Sequence, residues 1–288
     1  MQCRKDFRES SVSRAIIFVV IPTKDRRQCL VRALRSIALQ SFRPTATLVV
    51  GDAQEDIEGL GTSLADFSPE QGKAVPLVPL VNKGARNLSG SLNTALSHIL
   101  NEMHADPATS YIAFLDDDDS WDREYLEECF TSAINQDLDW VIAGITRHEA
   151  DDEEGVDLTI PPGITIHDFL TTNPHVQGSN LFLRLSSILK AGCFDENLES
   201  TTDRDVAIRL LSLGNTRVGF LQHHLVHHMA GGPSRLSSPG SESKRHGLIA
   251  FYQKYSPTMS EPERVSFADR ACRLFGCMIQ DFAGAFGG

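Results

Sequence analysis

Between residues 15 and 115 the chain alternates short β-rich runs with amphipathic stretches, and few architectures satisfy that alternation. Residues 15–21, 45–50, 75–81 and 111–115 read as strands. Between them, Leu30, Ala33, Leu34, Ile37 and Ala38 share one helical face, and Leu92, Ala95, Leu96, Ile99 and Leu100 repeat the pattern over residues 90–103. Residues 56–67 read as a weaker helix, interrupted by Gly59 and Gly61, and 122–135 as another helix. Strand following helix following strand requires right-handed crossovers, so the expected fold is α/β with a mostly parallel central sheet flanked by helices.

The fourth of these strands runs directly into Asp116, Asp117, Asp118 and Asp119. Two like charges about 4 Å apart repel by about 4 kcal/mol at an effective dielectric near 20, and four consecutive carboxylates contain several such pairs. Such blocks are often solvated turns. Here the run is fixed by a hydrophobic strand on one side and by Trp121 on the other, at the strand end where open α/β sheets bind ligands. A hard divalent cation with oxygen ligands, Mg²⁺ or Mn²⁺, converts the repulsion into coordination and usually also binds substrate phosphates. The first strand ends in Pro22, Thr23, Lys24, Asp25 and Arg26, and the second in Gly51, Asp52 and Ala53, on the same sheet edge. Asp25 and Asp52 are candidates to accept hydrogen bonds from a base or ribose. Asp25 also suits a helix N-cap, and Asp52 a turn.

Charge and cysteine usage narrow the function classes. The 288 residues carry 38 acidic against 27 basic side chains, a net charge of −11, without a Lys/Arg-rich block, which argues against nucleic acid as a partner. Six cysteines without a CxxC pair argue against a zinc module or disulfide framework and for a reducing, cytoplasmic compartment. The apolar run 15–21 is far shorter than the ~18 residues of a membrane span, and no signal-peptide cleavage pattern follows it. No transmembrane segment is expected, while peripheral membrane contact stays open. There is no GxGxxG after the first strand and no GxxxxGK[ST], which disfavours a dinucleotide-binding dehydrogenase or a P-loop enzyme.

The second half is less regular. Residues 140–145, 181–185 and 218–226 read as strands, 150–154 as an acidic loop, 161–163 as a breaker, 203–213 as a helix and 229–243 as a Gly/Ser/Pro-rich loop. From Lys244 onward the pattern is helical. His223, His224, His227 and His228 cluster late, with His224 and His228 on one face of a strand and His223 and His227 on the other.

Taken together these segments resemble family 2 glycosyltransferases of the GT-A fold, a Rossmann-like nucleotide-diphospho-sugar transferase architecture. Val19, Val20, Ile21, Pro22, Thr23, Lys24, Asp25, Arg26 is similar to that family's opening strand, and Val49, Val50, Gly51, Asp52 to its nucleoside-contacting strand end. Leu88, Ser89, Gly90, Ser91, Leu92, Asn93, Thr94, Ala95 resembles the loop before its third helix, and residues 114–121 its metal-binding DxD segment. Residues 191–198, followed by Thr202, Asp203, Arg204, Asp205, resemble the acceptor-side element that supplies the catalytic base. The similarity runs in order from Ile16 to His228. It departs at Gly51, where the family commonly has Asp, at Leu92, where it commonly has Arg, and at Thr202, where Glu usually precedes the base. Asp52 and Arg86 are the expected substitutes at the first two.

The resemblance implies a metal-dependent, inverting transfer of sugar from a nucleotide donor, expected in UDP-linked form, to an acceptor. It implies Asp203 as general base and Asp205 as structural. Pro22, Thr23, Asp25, Asp52, Arg86, Asn93, Asp116, Asp117 and Arg235 are the implied donor contacts, with Arg235 in a loop, 231–243, that closes over the diphosphate. Asp118 and His228 are the implied metal ligands, with His227 as rival to His228 and Asp119 as rival to Asp118. Of the four aspartates, Asp116 and Asp118 are expected to carry donor chemistry while Asp117 and Asp119 shape the turn. The expected organisation is an N-terminal arm (1–14), a donor half (15–120), an acceptor half of the same domain (121–242) and a C-terminal helical extension (243–288). Alternatives are a GT-A-like nucleotidyltransferase or a degenerate module that binds nucleotide or a partner without turnover.

Overall fold

The computed structural model describes residues 16–67, 75–149, 154–231 and 240–282. The N-terminal arm, most of the acidic loop, and Arg235 with most of its loop lie outside them. Strands β1 (Ile16–Thr23), β2 (Ala46–Gly51), β3 (Leu77–Val81) and β4 (Ser110–Phe114) form a parallel block in the order β3-β2-β1-β4. Beyond β4 lie β8 (Leu181–Arg184), antiparallel to it, then β6 (Trp140–His148) and β9 (Val218–Met229), parallel to each other. The short β5 (Ser120–Trp121) closes that edge against β9, and β7 (Val156–Leu158) pairs with β6. Most of the paired ladder is parallel, as the alternation in the sequence requires, and the antiparallel insertion comes from the irregular second half.

Residues of β1 alternate between two cores. Ile17, Val19 and Ile21 pack with Leu30, Leu34 and Ile37 of helix α1 (Arg27–Ala38), whereas Phe18 and Val20 face Leu92, Leu96 and Ile99. A strand buried on both sides needs such a continuous apolar run. The expected helix over 56–67 is instead a four-residue helix, α2 (Gln54–Ile57), and a separate 3₁₀ turn at Leu64–Phe67. Gly59, with φ +69°, lies between them in the left-handed region that ends helices.

Helix α3 (Leu88–Asn101) starts where the Asn87 side chain accepts the Gly90 N–H, and α4 (Tyr125–Gln136) follows the aspartates. The second half adds α5 (Ile166–Thr171), α6 (Leu185–Lys190) and α7 (Thr202–Ser212), packed with α8 (Glu242–Tyr255) and α9 (Glu261–Phe275). Phe251 of α8 and Phe267 of α9 stack at 5.6 Å and join the same core as Val206 and Leu210 of α7. The five described cysteines are unpaired, and no described helix is long and apolar enough to cross a membrane.

Candidate active site

The parallel register brings the ends of β1, β2 and β4 to one edge: Thr23 pairs with Gly51, and Val20 with Phe114. The Asp run then makes a tight turn, closed by the Asp119 N–H donating to the Asp116 carbonyl at 3.1 Å. Each carboxylate is turned differently. Asp117 points back under β1, where its Oδ2 accepts the Thr23 hydroxyl at 2.8 Å and its Oδ1 accepts Arg26 at 3.1 Å. The same Arg26 nitrogen donates to Asp118 at 2.9 Å, and Arg32 donates to the Asp118 carbonyl at 2.6 Å. Asp116, Asp118 and Asp119 converge, each placing an oxygen within 4.8 Å of the others.

Asp119 was expected to shape the turn, and it both does so and joins the acidic group. Fully buried, it accepts Ser179 Oγ at 2.5 Å and the Met229 N–H at 3.0 Å, with His228 Nδ1 at 3.2 Å from both its oxygens. His227 is turned away: its Nε2 meets Asp122 at 3.0 Å and its Nδ1 meets His148 at 3.0 Å. Of the two rival histidines, His228 is the one beside the aspartates.

The electrostatics asks for positive charge. Burial pushes the Asp116 carboxyl well above the usual carboxylate range, and repulsion from Asp119, Asp118, Asp117 and Asp203 adds to it. Burial also pushes Asp117 up to about 6, although the Thr23 hydroxyl and Arg26 oppose the rise. A site made of three converging carboxylates, whose charges burial and mutual repulsion disfavour, fits a hard divalent cation with oxygen ligands. Asp116, Asp118 and Asp119 are the residues placed to hold it, with His228 adjoining.

At the end of β2, burial of Asp52 would raise its carboxyl, but Lys24 at 2.9 Å, Asn82 and the more distant Arg86 at 4.0 Å hold it below the ordinary range. Pro22 pairs in register with Val50 beside it, and Asp25 is exposed in the left-handed region at φ 54°. Asp25 does not cap α1; its N–H donates to Asp56 at 2.7 Å, and Asp56 also accepts from Ala53. The departures at Gly51 and Leu92 have a packing cause. A β-carbon at Gly51 would stand 2.8 Å from the Ala53 carbonyl oxygen and the Asp56 β-carbon, and Leu92 is buried in the core. An aspartate at the first position and an arginine at the second have no room. A depression of about 540 Å³ lies at the ends of β2 and β3, bordered by Gln54, Ile57, Pro79 and Lys83, not over the aspartates.

Asn93 is occupied elsewhere. Its amide donates to the Phe194 carbonyl and to Glu196, each at 2.9 Å, and accepts the Phe194 N–H, so it locks the 194–196 loop onto α3. Asp203 sits in the first turn of α7, where Oδ2 accepts Asn173 at 3.0 Å and Oδ1 accepts the Arg204 N–H at 2.8 Å. Thr201 occupies the N-cap position, without a capping side-chain hydrogen bond, so Asp203 is not the N-cap. Asp205 is fully buried and accepts Lys254, Tyr255 and a two-pronged Arg209, a structural anchor.

The residues missed in the sequence are Ser179 and Gly178. Ser179 Oγ accepts the Asp116 N–H while donating to Asp119, and its carbonyl accepts Trp121 Nε1 at 2.7 Å. A β-carbon at Gly178 would press on the Asp116 carboxylate at 3.2 Å.

With this geometry in hand, the sequence pattern of "Glycosyl transferase family 2" matches residues 18–192, well over half of the chain. The chain belongs to glycosyl transferase family 2. It is 30% identical over 138 residues to the succinoglycan biosynthesis protein ExoW of Rhizobium meliloti (strain 1021), a match covering 47% of this chain and 40% of that protein. The family 2 chain thus spans well under two thirds of that relative's length. Its fold is similar to that of S. aureus TarS 1–349 in complex with UDP-GlcNAc, with a TM-score of 0.60 at 16% identity over 90% of this chain and 73% of that one. It is also similar to the mannosyltransferase PcManGT from Pyrobaculum calidifontis in complex with GDP-Man and Mn²⁺, with a TM-score of 0.56 at 15% identity over 85% of this chain and 65% of that one. These two likenesses establish the GT-A fold.

Proposed function

We propose that this family 2 glycosyltransferase moves a sugar from a UDP-linked donor to an acceptor nucleophile, with inversion at the anomeric carbon and with Mn²⁺ or Mg²⁺ bound. The observation that carries this reading is the convergence of Asp116, Asp118 and Asp119 at the end of β4, with Asp203 near enough to add to the repulsion on Asp116. The UDP-GlcNAc bound by TarS supports the choice of a UDP-linked donor, the GDP-Man bound by PcManGT supports a nucleotide sugar more generally, and the Mn²⁺ of the latter supports the choice of cofactor.

In this reading Asp116, Asp118 and Asp119 hold the cation, with His228 beside Asp119. The cation, when bound, offsets the negative charge that grows on the departing diphosphate. Asp52, Lys24 and Arg86 receive the nucleoside beside Pro22, Thr23 and Asp25, while Arg235 and its loop cover the phosphates. Asp203 accepts the acceptor's proton as the acceptor oxygen forms its bond to the anomeric carbon. The bond from that carbon to the diphosphate oxygen breaks on the opposite face, and its electron pair leaves with the diphosphate. Asn173 and the Arg204 N–H each donate to one Asp203 oxygen, which fixes the carboxylate and leaves lone pairs for the incoming proton. Residues 15–120 are assigned to the donor and 121–242 to the acceptor.

The test is calorimetric titration of UDP with and without Mn²⁺, followed by incubation with a panel of nucleotide sugars. Metal-dependent UDP binding and slow hydrolysis of one donor, both lost in Asp118→Ala, are expected. Absence of metal-dependent nucleotide binding in the wild type overturns the reading.

A further inference from the structure

Lys244, which feels the charge of Asp203, and Arg270, over the same aromatic ring as Lys244, are two cations whose surroundings the reaction above does not explain. Lys244 lies in the first turn of α8, where the helix dipole disfavours positive charge. Its Nζ sits 4.7 Å from the centre of the Phe275 ring, and the Arg270 guanidinium approaches the same ring at 5.9 Å. Both are partly buried, and neither has a carboxylate within ion-pair distance among the described residues.

With a net charge of −11 the chain has carboxylates to spare, and several of its partly buried cations take them: Arg26 has Asp117 and Asp118, Arg184 has Asp137 and Asp139, Arg209 has Asp205, and Arg245 has Asp281. A cation over an aromatic face gains far less than the hydration that a buried ammonium loses. Two cations on one ring also repel. Burial lowers the Lys244 ammonium to about 8, with Arg204 and Arg270 pushing the same way against Asp203, and burial lowers Arg270 as well.

Packing fixes Lys244 beside the turn that leads into the base. Ser200 Oγ donates to the Lys244 carbonyl at 3.3 Å, and a β-carbon at Gly247 would lie 2.5 Å from the Ser200 nitrogen, so α8 presses on the turn leading into Asp203. Arg204, the third cation, is already satisfied by the Phe169 and Leu170 carbonyls and lies over Phe251 and Phe267, one helical turn from Arg270 on α9. Lys244 and Arg270 remain available.

We infer that Lys244 and Arg270 form an anion-binding subsite for the acceptor, so that the acceptor carries a phosphate or carboxylate close to the hydroxyl presented to Asp203. This rests on the assignment of Asp203 to the acceptor side, and it deepens that assignment by naming a class of acceptor. An oxyanion between the two cations supplies the counter-charge their environment lacks. It also orients the acceptor through the bidentate pairing that a guanidinium offers and the point charge of an ammonium.

The experiment reads the subsite without turnover. Lysines of the whole chain are reductively methylated with ¹³C-formaldehyde, the Lys244 signal is assigned by its loss in Lys244→Gln, and its titration is followed by NMR with methyl phosphate, with methyl glucuronide and with neither. An oxyanion bound there should raise the Lys244 midpoint by about one pH unit or more. Arg270→Gln, checked for folding by circular dichroism, should weaken the saturating anion about tenfold. A response to methyl phosphate alone identifies a phosphorylated acceptor, and a response to the glucuronide alone a carboxylated one. No shift with either anion at tens of millimolar (on the order of weak single-site affinities), or an unchanged response in Arg270→Gln, overturns the inference. UDP and Mn²⁺ titrations on the same wild-type sample report the donor site separately, so failure of one reading does not pass for failure of the other.

Discussion

Ser179 donates its hydroxyl hydrogen to Asp119 Oδ2 at 2.5 Å and accepts the Asp116 N–H on the same oxygen at 3.1 Å. One small side chain therefore holds both ends of the acidic turn. Ser179→Ala should cost about 1–3 kcal/mol, because buried Asp119 loses a donor and the Asp116 N–H an acceptor. It should also weaken Mn²⁺ about tenfold, as loss of a group that orients a metal-binding carboxylate does. Thermal denaturation and Mn²⁺ titration check the two effects. Unchanged Mn²⁺ affinity would separate the Ser179 hydrogen bonds from cation binding.

The parallel block and helices α1, α3, α4 and α7 were legible because each is long enough to show its period, as with Leu30, Leu34 and Ile37 on α1. The pieces β5, β7, α5 and α6 are two to six residues long and show none. Insertion of β8 antiparallel between β4 and β6 is a long-range pairing that no local pattern announces. At the site, the Asp run declared itself through its charge, whereas Ser179 has no chemistry until the fold places it between two aspartates. The choice between His227 and His228 needed the register too: Ser120 pairs with His227, which leaves His228 on the face shared with Asp119.

Gly51 stands where the family commonly has aspartate, and restoring that residue should harm the protein. The new β-carbon meets the Ala53 carbonyl oxygen and the Asp56 β-carbon at 2.8 Å, and both belong to the turn that packs α2. Gly51→Asp and Gly51→Ala should each lose about 1–3 kcal/mol, the cost of overpacking, and Tm should fall by roughly 2–4 °C per kcal/mol. Neither should bind UDP more tightly than the wild type. A tighter complex with Gly51→Asp would show that the turn yields and that Asp52 has not replaced the missing carboxylate.

Lys244 gives stability a pH dependence of predictable sign. Its folded midpoint of about 8 lies below the ordinary 10.5, so the unfolded chain holds this proton more tightly. Stability then rises with pH between those two values, and below about pH 8 the full cost of the buried ammonium applies, roughly 3 kcal/mol at most. Lys244→Met should be more stable than wild type at pH 7, with the advantage shrinking towards pH 10.5. Urea denaturation of both proteins at pH 7, 8.5 and 10 measures the difference, and common titrations cancel in it. A difference that does not vary with pH would mean that Lys244 is hydrated in the folded protein.

Asp203 and Asp205 are two residues apart on α7 and should respond oppositely to the same substitution. Asp205 is fully buried with Lys254, Arg209 and Tyr255 on its oxygens, so Asp205→Asn strands two cations and should cost about 3–5 kcal/mol. Asp203 is partly buried with one neutral donor on each oxygen, and an asparagine side-chain oxygen still accepts the Arg204 N–H. Asp203→Asn should therefore stay within about 1 kcal/mol of wild-type stability while the transfer rate falls about 10²–10⁴-fold, the usual effect of removing a general base. Mn²⁺-dependent UDP binding should persist in Asp203→Asn, which separates loss of the base from loss of the donor site. Transfer by Asp203→Asn within tenfold of wild type would move the base to another carboxylate, and Asp205, already engaged by three partners, is not placed to serve.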